Sequence, residues 1–193
     1  MSILETLIDR TSTPPRLMEE TDGPTPSDIQ DILRAAMSAP DHGSVRPWRF
    51  VIVERDDRAM LGRVFADALK TRDPGASEEA IAKEMNRPLR APVVIAILAR
   101  VVHDRPNVPE IEQIIATACA AQNMLLAANA KGFGGILLTG KNAQDKNVRA
   151  FFGLKPGDEI VSFLYLGKSK SDQPTKPRPD PAQFIEKFGT MRT

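Results

Sequence analysis

Two arginines and two hydroxyl residues lie close together near the start of the chain. Arg10 is followed directly by Thr11 and Ser12, and Arg16 comes shortly afterwards. Guanidinium groups and hydroxyls bind phosphate through charge-assisted hydrogen bonds, so this segment could hold a phosphate group. The same pattern also suits a helix that ends in an arginine and a turn stabilised by a serine. The spacing alone favours the turn.

A second candidate segment, residues 38–48, reads SAPDHGSVRPW and lies between an expected helix and an expected strand. It contains His42 and the chain's only tryptophan, Trp48. Polar groups at the mouth of a sheet can bind a planar ligand, and such loops commonly carry sites. A capped turn with Trp48 in the core is the alternative, although Asp41, His42 and Ser44 together exceed what a turn requires. The pattern leaves both interpretations open.

Glycines cluster in a third segment, residues 132–140, which reads GFGGILLTG. Glycine lets the backbone approach a ligand closely. These glycines precede a strand instead of opening a helix, so the segment is neither a GxGxxG dinucleotide motif nor a Walker loop. A helix C-cap explains Gly132 but explains Gly134 and Gly135 less well.

Other kinds of catalytic site find little support in the sequence. The two histidines, His42 and His103, stand far apart and lack cysteine neighbours, so no metal-ligand spacing appears. No GxSxG element is present. The single cysteine, Cys119, lies in an apolar helix without a basic partner and is most simply a core residue. It cannot form an intramolecular disulfide, which fits a reducing cytosol.

The composition is typical of a globular protein without a strong electrostatic field. In 193 residues, 26 Lys and Arg against 25 Asp and Glu leave a formal charge of +1, which disfavours binding to nucleic acid or an anionic membrane. We expect one domain over residues 1–193, with an extended, proline-rich C-terminal arm at about 171–193. No signal-peptide core is visible, and the apolar stretch 114–130 is shorter than a bilayer span, so we expect a cytoplasmic protein with a buried core helix.

Helices and strands alternate along the chain and must position the three segments. The apolar spacing predicts a first helix capped by Ser2, a second capped by Thr25 or Ser27, a third over 56–69, and further helices near 77–86, up to 130 and near 145–152. Strands are predicted at 50–53, 91–99, 133–140 and 160–166. The apolar run 50–53 indicates a strand that is buried on both faces. The region 56–86 is expected to be an excursion that lies outside the core. The alternation favours an α/β or α+β layer.

Four segments in register resemble the flavin-dependent nitroreductase family, most closely its small YdjA-like subgroup. They are LIDRTS at 7–12, APDHGSVRPWRF at 39–50, GFGGILLTG at 132–140 and IVSFLYLG at 160–167. The resemblance implies an α+β, nitroreductase-like fold with a central mixed sheet flanked by helices. It also implies an intertwined homodimer with two FMN sites at the subunit interface, in which the C-terminal arm wraps the partner.

The resemblance further implies a set of cofactor-binding residues and no catalytic side chain. Arg10, Thr11 and Ser12 are expected to bind the FMN phosphate and ribityl chain, and Ser38 and His42 to touch FMN from the other subunit. The flavin is expected to be lined by Leu137, Leu138 and Thr139. Ala127 is expected to contact the nicotinamide nucleotide. Four positions depart from the family pattern, and one of them is Leu138, which stands where similar proteins can carry a basic residue. Thr11 stands where a second arginine is frequent, and Ser44 and Arg46 replace Asn and Gln.

The activity implied is that of an FMN-dependent NAD(P)H oxidoreductase, with NAD(P)H as co-substrate. Hydride would pass from NAD(P)H through FMN to nitroaromatic, quinone-like or similar small electron acceptors, since in such enzymes the cofactor reacts and the protein binds and orients. An FMN-binding sensor or carrier with little turnover is the alternative, motivated by Thr11 and Ser44. A hydrolase based on His42 and Asp41 would need a nucleophile that the sequence does not position.

Overall fold

The computed structural model describes residues 2–171 and 176–188, which contain seven α-helices and four strands. The helices are α1 (Ile3–Asp9), α2 (Pro26–Ala36), α3 (Arg58–Arg72), α4 (Glu78–Met85), α5 (Glu110–Ala130), α6 (Gly140–Gln144) and α7 (Lys146–Phe151). The strands are β1 (Trp48–Val53), β2 (Val93–Ala99), β3 (Gly134–Leu138) and β4 (Glu159–Gly167). Each helix and strand predicted from the sequence is present, and α6 is additional.

Side-chain caps determine where the first two helices begin. The Ser2 hydroxyl accepts a hydrogen bond from the Glu5 amide, and the Glu5 carboxylate accepts one from the Ser2 amide. Thr25 and Asp28 form the same reciprocal pair at the start of α2. Each such box satisfies two backbone donors that a helix start leaves unpaired, and a cap contributes about 1 kcal/mol. The prediction of Ser2 is confirmed, and Thr25 rather than Ser27 caps α2.

The strands form one sheet in the order β1-β2-β4-β3, and every neighbouring pair is antiparallel. The fold is therefore α+β as expected, but the expected mixed sheet is not found among the strands that the structure describes. The expectation that 50–53 is buried on both faces is wrong. Val51 is 38% exposed because β1 is an edge strand, and the helices cover the central strands β2 and β4 more fully.

Helices cover both faces of the sheet and divide the core into two clusters. On one face α2 and α5 pack against Ile95, Ile97 and Leu164, and on the other α3, α6 and α7 pack against residues that include Ala96 and Phe163. The expected excursion at 56–86 is wrong for α3, because its residues Leu61, Phe65 and Ala68 are fully buried in the cluster on this face of the sheet. Only α4 fits that expectation, since it packs on α3 and buries none of its own residues.

Helix α5 is the one described helix whose length and composition would allow it to cross a membrane. Eight of its residues are nevertheless buried, and it packs against α2, β2, β3 and β4. This agrees with the prediction of a core helix.

The described part of the expected C-terminal arm, residues 176–188, is exposed and has one short 3-10 turn at Pro181–Phe184. Residues 172–175 and 189–193 of that arm lie outside the described residues.

Candidate functional site

The segment that follows α1 is held against the edge strand β3. Arg10 is the C-cap residue of α1, and its guanidinium donates a hydrogen bond to the Ser12 hydroxyl at 3.3 Å. The amide of Thr13, a buried residue, donates to the Gly135 carbonyl of β3 at 3.1 Å. Arg10, Thr11 and Ser12 therefore leave the helix at a fixed position beside the sheet.

The glycines of the third segment permit this close approach. A Cβ on Gly134 would lie 2.7 Å from the Thr13 hydroxyl, and one on Gly135 would lie 2.8 Å from a methyl carbon of Leu125. Gly132 has a φ of +82°, as expected for the residue that ends α5. The glycine cluster thus serves the contact of α5 and of the 10–13 segment with β3, which the sequence pattern had left open.

Arg178 of the C-terminal segment lies against the end of α1. Its guanidinium donates to the Ile8 carbonyl at 3.0 Å and to the Arg10 carbonyl at 2.6 Å. Burial, together with the positive charge of Arg178, lowers the pKa of Arg10. Within the described residues, no carboxylate forms an ion pair with either guanidinium, so two neighbouring cations are left without an anion. The sequence analysis missed Arg178, because a basic residue in a proline-rich arm gives little signal.

Thr11 lies on a different side of the same segment from the guanidinium of Arg10. Its hydroxyl donates to the Asp9 carbonyl at 3.3 Å. It lines a small polar cavity of about 200 Å³ together with Thr13, Asn129 and Ser169. Hydroxyl and amide groups line this cavity together with Asp9, so its one charged group is an anion and it offers no cation to a phosphate.

Ser38 and Ala127 lie in one open groove of about 530 Å³ between α1, α2 and α5. The Ser38 hydroxyl donates to the Ala35 carbonyl at 2.8 Å and accepts from the Asn123 amide at 3.2 Å. Asn123 therefore ties α5 to the end of α2 and orients Ser38. Apolar residues of α1, including Ile3, form the opposite wall.

His42 lies outside this groove, in the 3-10 turn His42–Ser44. Its Nδ1 is 2.6 Å from a carboxylate oxygen of Glu112 in the first turn of α5. The loop is also braced internally, because the Asp41 carboxylate accepts from the Arg46 amide at 2.8 Å. Ser44 and Arg46 have φ values of +51° and +53°, which cost free energy in residues other than glycine. The loop is thus held in one conformation, with the His42 side chain exposed.

Leu137, Leu138 and Thr139 line a cavity of about 270 Å³ at the end of β3, on the α3 side of the sheet. Its wall includes Tyr165, whose pKa burial raises to about 12, so this phenol stays protonated. Arg87 lines the cavity as well and pairs with Glu84 at 2.7 Å.

A chain of polar contacts fixes the turn after this cavity. The Asn142 side chain donates to the Glu84 carboxylate at 2.7 Å and accepts from Arg72 at 3.1 Å. Arg72 also pairs with Asp145 at 2.6 Å. These contacts connect α3 and α4 to α6, which begins directly after Thr139. Neither Asn142 nor this network was predicted from the sequence.

The nine predicted residues therefore do not meet in one cavity of a single chain. Arg10 and Ser12 contact each other, Ser38 and Ala127 share a groove, and Leu137 to Thr139 share a cavity on the opposite face of the sheet. Thr11 and His42 lie apart from these groups. Large apolar side chains are also left exposed on α1 and on the C-terminal segment, including Ile3 at 83% and Phe188 at 83%.

Comparison with known proteins gives a consistent result. The sequence model of the nitroreductase family matches residues 9–168. The protein named "Putative NAD(P)H nitroreductase YdjA" of Escherichia coli strain K12 is 39% identical over 189 residues, which cover 97% of this chain and 100% of that protein.

Two solved structures share the fold with this chain. A nitroreductase-like family protein from Bacillus cereus has a TM-score of 0.81 at 22% identity, covering 97% of this chain and 96% of that chain. NADPH:FMN oxidoreductase from Vibrio harveyi, complexed with NAD+, has a TM-score of 0.72 at 19% identity, covering 96% of this chain and 76% of that chain.

Proposed function

The chain belongs to the nitroreductase family of NAD(P)H-dependent flavin oxidoreductases, and we propose that it binds FMN and passes hydride from NAD(P)H to nitroaromatic, quinone-like or similar small acceptors. The observation that carries this proposal is the pair of neighbouring guanidiniums, Arg10 and Arg178, which have no carboxylate partner among the described residues. Arg10 is partly buried, and a partly buried cation needs an opposite charge or good hydrogen bonds to compensate it, whereas Arg178 is exposed. A phosphate group would supply that charge.

The groups around Arg10 fit the phosphate end of FMN. The guanidinium of Arg10 and the hydroxyl of Ser12 already contact each other, so both can donate to one anion. Arg178 adds a second cation at the end of α1, where its guanidinium contacts the Ile8 and Arg10 carbonyls. A phosphate held by two guanidiniums and a hydroxyl would form charge-assisted hydrogen bonds, which are the strongest kind that such a site can make.

The remaining predicted residues would hold the ring system and the second substrate. Leu137 and Leu138 supply apolar contacts and Thr139 a polar end, while Ser38 and His42 would approach the ring from a second copy of the chain. When bound, FMN supplies the hydride-transfer chemistry, and the protein's part is to bind and orient. Ala127 would contact the nicotinamide nucleotide in the groove between α1 and α5.

A homodimer is part of the same proposal. The exposed apolar side chains Ile3, Leu4, Phe184 and Phe188 leave a large hydrophobic surface on a single copy, and such surfaces usually mark an interface. Because the nine residues lie on different faces of one chain, two copies are needed to bring them around one ligand. The arm at about 171–193 would wrap the partner, as part of a single domain over 1–193.

Absorbance and light scattering test the proposal directly. The purified protein should show flavin absorbance bands, bind added FMN after the flavin is removed, and scatter light as a dimer. It should also oxidise NADH or NADPH when a nitroaromatic or quinone is supplied. A colourless monomer that binds no FMN would contradict the proposal.

A sensor or carrier that holds FMN with little turnover is the second candidate. Thr11 and Ser44 motivated this candidate. Arg178 brings a guanidinium to the helix end that precedes Thr11, which leaves Ser44 as its remaining support. Steady-state oxidation of NAD(P)H with a panel of nitro compounds and quinones separates the two. Rapid turnover eliminates the carrier, and FMN binding without turnover supports it.

A further inference from the structure

A buried phenol in the cavity at the end of β3 has no hydrogen-bond partner. Tyr165, the chain's single tyrosine, lies on β4, is 3% exposed and lines the same cavity as Leu137, Leu138 and Thr139. Among the described residues, none accepts a hydrogen bond from its hydroxyl. The hydroxyl is accessible although the residue is buried, so it faces the open space of the cavity. The proposed phosphate site and the hydride transfer give this hydroxyl no role.

The unused polar groups near the phenol are donors. Burial raises the pKa of Tyr165 to about 12, so the phenol keeps its proton and can donate it to an acceptor. Arg87 lines the same cavity, and within the described residues its guanidinium pairs with one group, the Glu84 carboxylate, through Nε. The amide of Asn142 is not free, because it donates to Glu84 and accepts from Arg72. A ligand at this end of the cavity must therefore supply hydrogen-bond acceptors.

The cavity lies within reach of the proposed phosphate site along one strand. The Gly135 carbonyl of β3 accepts from the Thr13 amide, which holds the segment of Arg10 beside the strand. Leu138, which lines the cavity, comes three residues after Gly135, or about 10 Å along the strand. In FMN a ribityl chain separates the phosphate from the ring, and the ring carries two carbonyl oxygens at one end and two methyl groups at the other. Only the carbonyl end matches a cavity that offers donors.

We propose that Tyr165 is a further FMN-binding residue, whose hydroxyl donates a hydrogen bond to the carbonyl-bearing end of the flavin ring. The proposal rests on the proposed function, because it adds a contact to the same cofactor site. Arg87, held by Glu84, would lie beside the same end of the ring and make its surroundings positive. Phe65 and Phe163 also line the cavity and would pack against the ring.

The variant Tyr165→Phe, which removes only the hydroxyl, tests the proposal through two measurements. The dissociation constant for FMN, from fluorescence titration of the apoprotein, should rise about 2- to 12-fold because one hydrogen bond is lost. The melting temperature of the apoprotein should stay the same or rise, because the lost hydroxyl has no acceptor in the described chain. Unchanged FMN affinity overturns the proposal. A lower melting temperature of the apoprotein overturns it as well, since the hydroxyl would then serve the fold.

The midpoint potential of bound FMN gives a readout that a role in packing would not move. Reduction adds negative charge at the carbonyl end of the ring, and a hydrogen bond to a charged acceptor is stronger, so Tyr165→Phe should make the potential more negative. An unaltered potential overturns the proposal.

Thr117→Val is the matched control. It removes another fully buried hydroxyl, which lies on α5 on the other face of the sheet and donates to the Gln113 carbonyl at 3.0 Å. FMN affinity and potential should both be retained in this variant. A failure of the proposed function itself would look different, because the unaltered protein would then bind no FMN.

Discussion

The imidazole of His42 and the carboxylate of Glu112 form a close pair, with 2.6 Å between Nδ1 and Oε2, although 70 positions separate them in the chain. The contact joins the loop before β1 to the first turn of α5. Because the carboxylate occupies Nδ1, the other ring nitrogen, Nε2, is left free to meet a ligand. The pair therefore orients the residue that is proposed to reach FMN from the second copy.

Replacing Glu112 by Ala tests whether this orientation matters for FMN. Both side chains are about half exposed, and exposed pairs of this kind contribute about 0.2–1 kcal/mol. The dissociation constant for FMN should consequently rise by up to about fivefold, as measured by fluorescence titration of the apoprotein. Glu110→Ala is the matched control, since it breaks the comparable pair with His103. An equal loss of FMN affinity in Glu112→Ala and Glu110→Ala would argue against a specific role of Glu112.

Arg10→Ala should weaken FMN binding much more strongly. A hydrogen bond to a charged group contributes about 1.5–3 kcal/mol, which corresponds to about 10- to 150-fold in the dissociation constant. Arg178→Ala should also weaken FMN binding. If both guanidiniums hold one phosphate, the loss of binding free energy in the double variant should be smaller than the sum of the losses in the two single variants. Arg34→Ala, at a surface pair with Asp31, should leave FMN affinity unchanged. Unchanged affinity in Arg10→Ala would remove the basis of the proposed phosphate site.

The sequence predicted the elements well because their signals are local. The Ser2 cap, the glycine that ends α5 and the β-branched runs of β2 and β4 each act within a few residues. The burial of β1 was mispredicted because an apolar run is the same in an edge strand and a central strand. The packing of α3 on the sheet was mispredicted because the apolar pattern of a helix gives no information on which face of a sheet the helix will cover.

The roles of the site residues could be predicted only where a segment resembles a known one. Residue types and spacing already singled out Arg10, Thr11, Ser12 and His42, and the resemblance gave all nine residues their expected roles. Their distribution over both faces of the sheet depends on tertiary packing. Arg178, Asn123 and Glu112 were missed for the same reason, since each acts on a residue more than 60 positions away. Sequence spacing carries no information on such pairs.

Gly134→Val tests the close contact between β3 and the segment after α1. A Cβ at this position would lie 2.7 Å from the Thr13 hydroxyl and 2.8 Å from its Cβ, so the 10–13 segment must move. We expect a lower melting temperature and weaker FMN binding, because Arg10 and Ser12 move with Thr13. Gly75→Ala is the control, since its nearest neighbour would be 3.6 Å away. Full FMN affinity in Gly134→Val would show that the phosphate lies elsewhere.

The pair His103–Glu110 predicts a pH dependence of stability. The hydrogen bond from the imidazole to Glu110 raises the pKa of His103 above its usual 6.5. The protonated form is thus favoured in the folded protein, and the pair stabilises the fold fully below pH 6.5 and loses this contribution as pH rises through the raised pKa. The difference in melting temperature between the unaltered protein and His103→Asn should therefore be larger at pH 5.5 than at pH 8.5. If the difference in melting temperature is the same at both pH values, packing alone explains the lower melting temperature of His103→Asn.

Ile3→Asp tests whether the exposed face of α1 is a subunit interface. Ile3 is the first residue of α1 and none of α1 is buried in the single chain, so a carboxylate here removes no intrachain core contact. An acidic residue in the first turn also favours the helix, so α1 should stay folded. In an interface the same charge would lose its water, at a cost of several kcal/mol.

Light scattering should therefore show a monomer for Ile3→Asp at concentrations where the unaltered protein is a dimer. FMN affinity should fall with dimerisation, because Ser38 and His42 are proposed to come from the second copy. Met60→Asp is the matched control, since Met60 is an exposed apolar residue of α3, on the other face of the sheet from α5. If Ile3→Asp stays dimeric and binds FMN normally, α1 does not form the interface, and the apolar surface there must serve another contact.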